Sequence, residues 1–214
     1  MRSDPAALSG MVSLARNGVR LTSDSSQLAA ARRHFADTQA IVLQQLLEPS
    51  LLADVRARVA GASFVERVHD ASGVEACMPH NDVVWLLRFV LQEPSWLAWI
   101  ADVTGSGPLD IAEARVYRFA PGTGHHHDWH DDWSGRRRLG LSINLSEEMF
   151  EGGRLQVRDC ATGRVTADIA NTGPGDGVIF RLSEQTEHRV LPVTGAHPRT
   201  VLAGWLLAPQ AVIA

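Results

Sequence analysis

The chain has no lysine; all 20 of its basic residues are arginine. An anionic ligand must therefore be held by arginine, histidine or backbone N–H groups. There are only two cysteines, Cys77 and Cys160. They form neither a zinc-type cluster nor a disulfide framework, and each reads as a small buried residue. No stretch approaches the roughly 18 uninterrupted apolar residues of a membrane span. The N-terminal segment lacks the compact apolar run of a signal peptide, because Arg16 and Arg20 interrupt it. The expectation is a cytoplasmic protein without a membrane partner. Positive charge is also in short supply, with a net charge of -4, which argues against a nucleic-acid partner.

What is present suits one domain of 214 residues, with 45% hydrophobic content for a core. Residues 1–24 read as a loose lead-in, and 25–105 as mainly helical support. SDSSQ at 23–27 offers a cap for a helix through QLAAARRHF. Residues 40–47 are apolar and suit either a strand or the start of a helix. At 48–61 Pro49 fits a first turn, Leu51, Leu52, Val55 and Val59 form one stripe, and Gly61 ends it. FVERV at 64–68 reads as a strand. Helices are expected over 80–92, capped by Asn81 or Asp82, and over 93–105, capped by Ser95. The loop 71–82 is a candidate lid. From 109 to 207 short β-rich segments alternate with Gly, Pro and Asn turns: 111–119, 138–145, 154–159, 177–182, 188–193 and 199–207. Helices followed by many short strands imply an α+β chain whose second half is a β-sandwich or barrel.

The densest polar cluster is GHHHDWHDDW at 124–133, with four of the nine histidines and three aspartates. Iron sites with two histidines and one carboxylate need those ligands on one face of the metal, leaving the other face open. On an extended strand residues i and i+2 project to the same side, so His-x-Asp is a natural two-ligand unit. Two such units compete, His126-x-Asp128 and His130-x-Asp132. His188, 58 residues after His130, opens another apolar segment and offers a third ligand. Arg199 follows 11 residues later. A guanidinium turned into a barrel is costly unless a carboxylate meets it.

The ordered series Tyr117, Gly122, His130-x-Asp132, RRLGLSINL, EGGRLQV, the PGD turn at 174–176, His188 and Arg199 resembles the iron(II)- and 2-oxoglutarate-dependent dioxygenases, specifically their prolyl-4-hydroxylase-like branch. The resemblance covers Tyr117 to Trp205. It implies N-terminal helices on a double-stranded β-helix, or jelly-roll, core. It implies Fe(II) held by His130, Asp132 and His188, and 2-oxoglutarate held by Arg199. Tyr117 and Asn144 match positions that line the cosubstrate pocket, and Thr200 stands nearby. His130-x-Asp132 is preferred because its distance to RRLGLSINL matches the family. The resemblance further implies O2 as oxidant and hydroxylation of an amino-acid, peptide or small-molecule substrate, with release of succinate and carbon dioxide. Asp132 supplies the carboxylate that halogenases of the family lack. The competing reading is a cupin-like or non-catalytic metal-binding protein, which has no need of Arg199.

Overall fold

Local chemistry sets the helix ends. A computed structural model describes residues 7–69, 72–79, 82–170 and 172–210. Helix α1 (Ser25–Thr38) starts at a capping box in which Asp24 accepts from the Gln27 N–H and the Gln27 side chain bonds the Asp24 N–H. Helix α2 (Pro49–Ala60) has proline in its first turn and ends at Gly61. Helix α3 (Asp82–Leu91) follows, its expected alternative cap Asn81 lying outside the described residues. Helix α4 (Pro94–Thr104) is capped by Glu93 rather than Ser95, because Pro94 takes the first turn; the Glu93 carboxylate accepts from the Trp96 N–H at 2.9 Å.

Fourteen strands are described: β1 (Ala7–Ser9), β2 (Val12–Ala15), β3 (Gly18–Leu21), β4 (Ala40–Gln44), β5 (Val65–His69), β6 (Gly73–Cys77), β7 (Ile111–Phe119), β8 (His126–His130), β9 (Arg137–Asn144), β10 (Leu155–Asp159), β11 (Val165–Ile169), β12 (Gly177–Arg181), β13 (Thr186–Val190) and β14 (Arg199–Leu207). The expected lead-in is ordered from residue 7. Strands β2 and β3 form a hairpin, and Met11, Val12 and Leu14 reach the core. The segment at 40–47 forms strand β4, paired with β12.

Twelve strands form one nearly closed sheet, ordered β1-β4-β12-β9-β14-β7-β6-β8-β13-β10-β11, with β5 paired only to β6. This is the double-stranded β-helix. Strand β6 closes it. Ala76 and Cys77 pair with Arg118 and Tyr117 of β7, while Gly73 and Val74 pair with His127 and His126 of β8. The segment read as a lid is therefore largely a strand of the wall. Its approach to β8 requires glycine: Gly73 has φ 129°, and a Cβ there would lie 2.1 Å from the His126 carbonyl oxygen.

Two apolar clusters result. The outer one joins Leu139, Leu141, Ile143 and Leu145 to Phe35, Leu51, Val55, Leu87, Leu91, Trp96 and Ile100 of the helices. Burial of each such side chain contributes about 1.5–3 kcal/mol, enough to fix the helices against that face. The other contains Phe119, Phe150, Leu155, Val157, Phe180, Val190 and Val201. Cys77 is buried as expected, but Cys160 is exposed, because it sits in the turn between β10 and β11.

Candidate metal centre

The pairing of β8 with β13 decides which side chains meet. His130 and His188 are cross-strand partners, but the next pair is His127 with Val190. Three residues of β8 therefore span two of β13, which is a β-bulge. Without it, 126, 128, 130 and 132 would all share one face. With it, His127 and His130 both line the internal cavity, while Asp128 is exposed and bonded through its N–H to the Ser72 carbonyl. His126 and Asp128 approach one another at 3.4 Å, away from the cavity, and among the described residues no third ligand joins them. Asp132 lies two residues beyond the end of β8, in the run leading to β9.

His130, Asp132 and His188 bring one donor atom each to within 4.8 Å of one another. Asp132 Oδ2 is 3.7 Å from His130 Nε2 and 3.5 Å from His188 Nε2. His130 Nδ1 lies 2.7 Å from the Asp128 carbonyl. It donates there, which leaves Nε2 as the ligating atom. Burial pushes His188 below the ordinary histidine value, favouring the neutral form a metal needs. Burial also works against charge on His130, but Asp132 and the Asp128 carbonyl outweigh it and raise that ring's proton affinity. For Asp132 burial is outweighed by hydrogen bonds from His130, His188 and Trp205, so it sits far below the usual carboxylate range. Two imidazoles and one ionised carboxylate on one side of a cavity form the donor set of a non-haem iron centre.

The cavity, of about 260 Å³, is lined also by Tyr117, Phe119, Leu155, Phe180, Val190, Val201 and Arg199. Arg199 is 6% exposed, and its Nη2 donates to Ser142 Oγ at 3.2 Å. Among the described residues no carboxylate pairs with it, and burial lowers its pKa to about 10. An unpaired buried guanidinium costs several kcal/mol in desolvation, and an anionic ligand in the same cavity offsets that cost. The chemistry of the site thus fits a dicarboxylate beside a metal.

Two expected residues stand elsewhere. Asn144 is not among the cavity-lining residues; its amide donates to the Thr172 carbonyl at 2.6 Å and accepts from the Ser146 N–H at 2.9 Å. Ser142, two residues earlier on β9, lines the cavity instead. The Thr200 hydroxyl accepts from Arg118 Nε at 3.2 Å, because neighbouring strand residues face opposite ways. Tyr117 does line the cavity, and burial raises its pKa above the ordinary tyrosine value.

Sequence reasoning missed Trp205, whose Nε1 donates to Asp132 Oδ2 at 2.9 Å. The Arg137 guanidinium stacks 3.5 Å from the Trp205 ring and donates to the Asp132 carbonyl at 3.3 Å. The signal for Trp205 was available: Arg199, Val201, Ala203 and Trp205 alternate along β14, and all four line the cavity. His69 and Glu75 were also missed.

A double-stranded β-helix with this donor set beside a buried arginine is the arrangement of a non-haem metal oxygenase site. Residues 113–207 match the family model described as "2OG-Fe(II) oxygenase superfamily", and the fold and donor set agree with a 2-oxoglutarate-dependent dioxygenase. No curated protein matches the sequence. Among solved structures, a 2OG-Fe(II) oxygenase family oxidoreductase from Burkholderia pseudomallei is 15% identical, with TM-score 0.67, covering 90% of this chain and 96% of that one. A Pseudomonas putida prolyl-4-hydroxylase is 21% identical, with TM-score 0.62, over 86% and 100%. A prolyl hydroxylase in complex with a hypoxia inducible factor peptide fragment, from Trichoplax adhaerens, is 15% identical, with TM-score 0.59, over 87% and 94%. At these identities the likeness is one of fold. No helix among the described residues is long and apolar enough to cross a membrane.

Proposed function

We propose that His130, Asp132 and His188 hold Fe(II), that Arg199 holds 2-oxoglutarate, and that the enzyme hydroxylates a C–H bond of an amino-acid, peptide or small-molecule substrate. The observation that carries this reading is the unpaired, buried Arg199 in the same cavity as the three donor residues. A protein that only stored metal would have no use for a guanidinium there. Bound iron(II) and 2-oxoglutarate supply the oxidation, in which one oxygen atom of O2 goes to the substrate C–H and the other to succinate, with loss of carbon dioxide.

The chain's own residues do the rest. His130, Asp132 and His188 would hold the ion from one side and leave the other open to ligands. The Arg199 guanidinium takes the distal carboxylate of 2-oxoglutarate, with the Ser142 hydroxyl fixing one guanidinium nitrogen. Trp205 and Arg137 hold the Asp132 carboxylate in place. Phe180, whose ring centroid lies 4.6 Å from that of His188 at a tilt of 49°, and Leu155, Val190 and Val201 give the cavity an apolar lining that excludes water. Hydroxylation is favoured because Asp132 fills the carboxylate position. The fold likeness to two prolyl hydroxylases supports an amino-acid or peptide substrate.

The test is anaerobic titration of the protein with Fe(II) and 2-oxoglutarate, followed by the visible metal-to-ligand charge-transfer band. The band is expected in wild type and absent in His130→Ala, Asp132→Ala and His188→Ala. Iron binding without the band in wild type overturns the reading.

A further inference from the structure

Three side chains outside the proposed iron and cosubstrate sites converge on the same cavity. Glu75 of β6 is 2% exposed. It lies between the residues of β6 that pair with β7 and those that pair with β8, and its side chain lines the cavity. Its Oε1 is 3.0 Å from His69 Nε2, and its Oε2 is 2.9 Å from His127 Nε2. Burial opposes charge on this carboxylate, but the bonds from His127 and His69 outweigh it and hold Glu75 below the usual glutamate value. An ionised carboxylate only accepts hydrogen bonds, so both imidazoles donate through Nε2. In the neutral ring the lone pair is then at Nδ1, and the carboxylate behind the ring makes that nitrogen a stronger acceptor.

The His127 ring is also locked in place. Its centroid is 5.7 Å from that of His130 and 5.3 Å from that of Phe119, both edge-on. No protein partner for its Nδ1 exists among the described residues. The trio is not a second metal centre, since only His130, Asp132 and His188 among the described residues bring three donor atoms within 4.8 Å. A charged, fully buried carboxylate is a costly way to brace a wall strand, which apolar packing would hold equally well. Its effect is to leave an acceptor nitrogen on a ring that lines the same cavity as the three donor residues.

We propose that the His69–Glu75–His127 relay is the specificity-determining end of the primary-substrate subsite, with His127 Nδ1 accepting a hydrogen bond from an amide N–H or hydroxyl of the substrate. This rests on the oxygenase reading above. A substrate anchored at His127 would lie beside His130, whose ring centroid is 5.7 Å from that of His127. A substrate without such a donor leaves the acceptor unpaired and is rejected.

The test uses the full-length protein loaded with Zn(II), uniformly labelled in its histidines, with acetamide and N,N-dimethylacetamide as probes. Long-range proton–nitrogen correlation spectra read the tautomer and the Nδ1 shift of His127. The expected result is an Nε2–H tautomer whose Nδ1 resonance moves upfield with acetamide and stays put with dimethylacetamide, which has no N–H. In Glu75→Gln, whose amide can donate, the tautomer lock and the acetamide response are lost. A His127 in the Nδ1–H form, an equal response to both amides, or no response to either overturns the proposal. The wild-type comparison of the two amides stands without the variant. The oxygenase reading fails separately, through absence of the charge-transfer band in the iron-loaded wild type.

Discussion

Trp205 Nε1 donates to Asp132 Oδ2 at 2.9 Å, from a strand 73 residues away in sequence. The same oxygen is the one nearest His130 and His188. The indole therefore fixes the orientation of the carboxylate that would hold the ion. Loss of such an outer partner typically costs about 10–100-fold in metal affinity. Trp205→Phe keeps the ring that Arg137 stacks on and removes only the donor. Its Fe(II) dissociation constant is expected to rise by about that factor, measured by anaerobic competition with a chelator.

Arg199→Met separates cosubstrate binding from stability. The variant removes a buried charge that has no protein counter-ion among the described residues, so the ligand-free protein is expected to be as stable as wild type or more so, by about 1 kcal/mol. In a chain of this length that moves the melting temperature up by about 2–4 °C. Metal affinity stays unchanged, while 2-oxoglutarate no longer stabilises the metal-loaded protein. Differential scanning calorimetry with and without 2-oxoglutarate reads both effects. A large drop in melting temperature without ligand refutes the account of Arg199 as an unpaired charge.

Gly140 and Phe180 are cross-strand partners on β9 and β12. A Cβ on residue 140 would lie 2.1 Å from the Phe180 ring. Gly140→Ala forces that ring from its place against His188, with an overpacking cost of about 1–3 kcal/mol. Urea unfolding is expected to show this loss, and iron affinity to fall with it. An unchanged unfolding midpoint would mean that the ring moves freely.

Glu75 gives stability a pH dependence whose sign follows from the direction of its pKa shift. Its folded pKa lies below its unfolded value. The stabilisation is therefore fully present above the unfolded carboxylate pKa of about 4.3 and is lost as pH falls through the folded value. Glu75→Gln is expected to be less stable than wild type at neutral pH. The gap narrows once the pH drops below about 4. Urea unfolding of both proteins across acidic pH checks it; a gap that widens on acidification contradicts the assignment.

Much of this protein is legible along the chain because the signals are local. The alternation in RRLGLSINL marks β9, whose leucine face packs against the helices and whose other face supplies Gly140 and Ser142. Pro49 and Gly61 bound α2. The order His130, Asp132, His188, Arg199 names four residues that the fold brings to one cavity. The sequence alone determined the elements through side-chain type and short-range period, which depend on neighbouring residues only; the four residues came from the ordered series and its family resemblance. It could not rank His126-x-Asp128 below His130-x-Asp132 by alternation, since all four share a parity. The bulge opposite His188 and Val190 separates them, and a bulge is a property of the pairing between two strands. The surroundings of Asn144 were hidden for a related reason: its amide bonds the Thr172 carbonyl, 28 residues on. Glu75 and His69 carried no local sign of function, because their meeting with His127 depends on Gly73 letting β6 close against β8. Tertiary structure decided each of these, because the bonds involved join segments whose contact exists only once the sheet has closed.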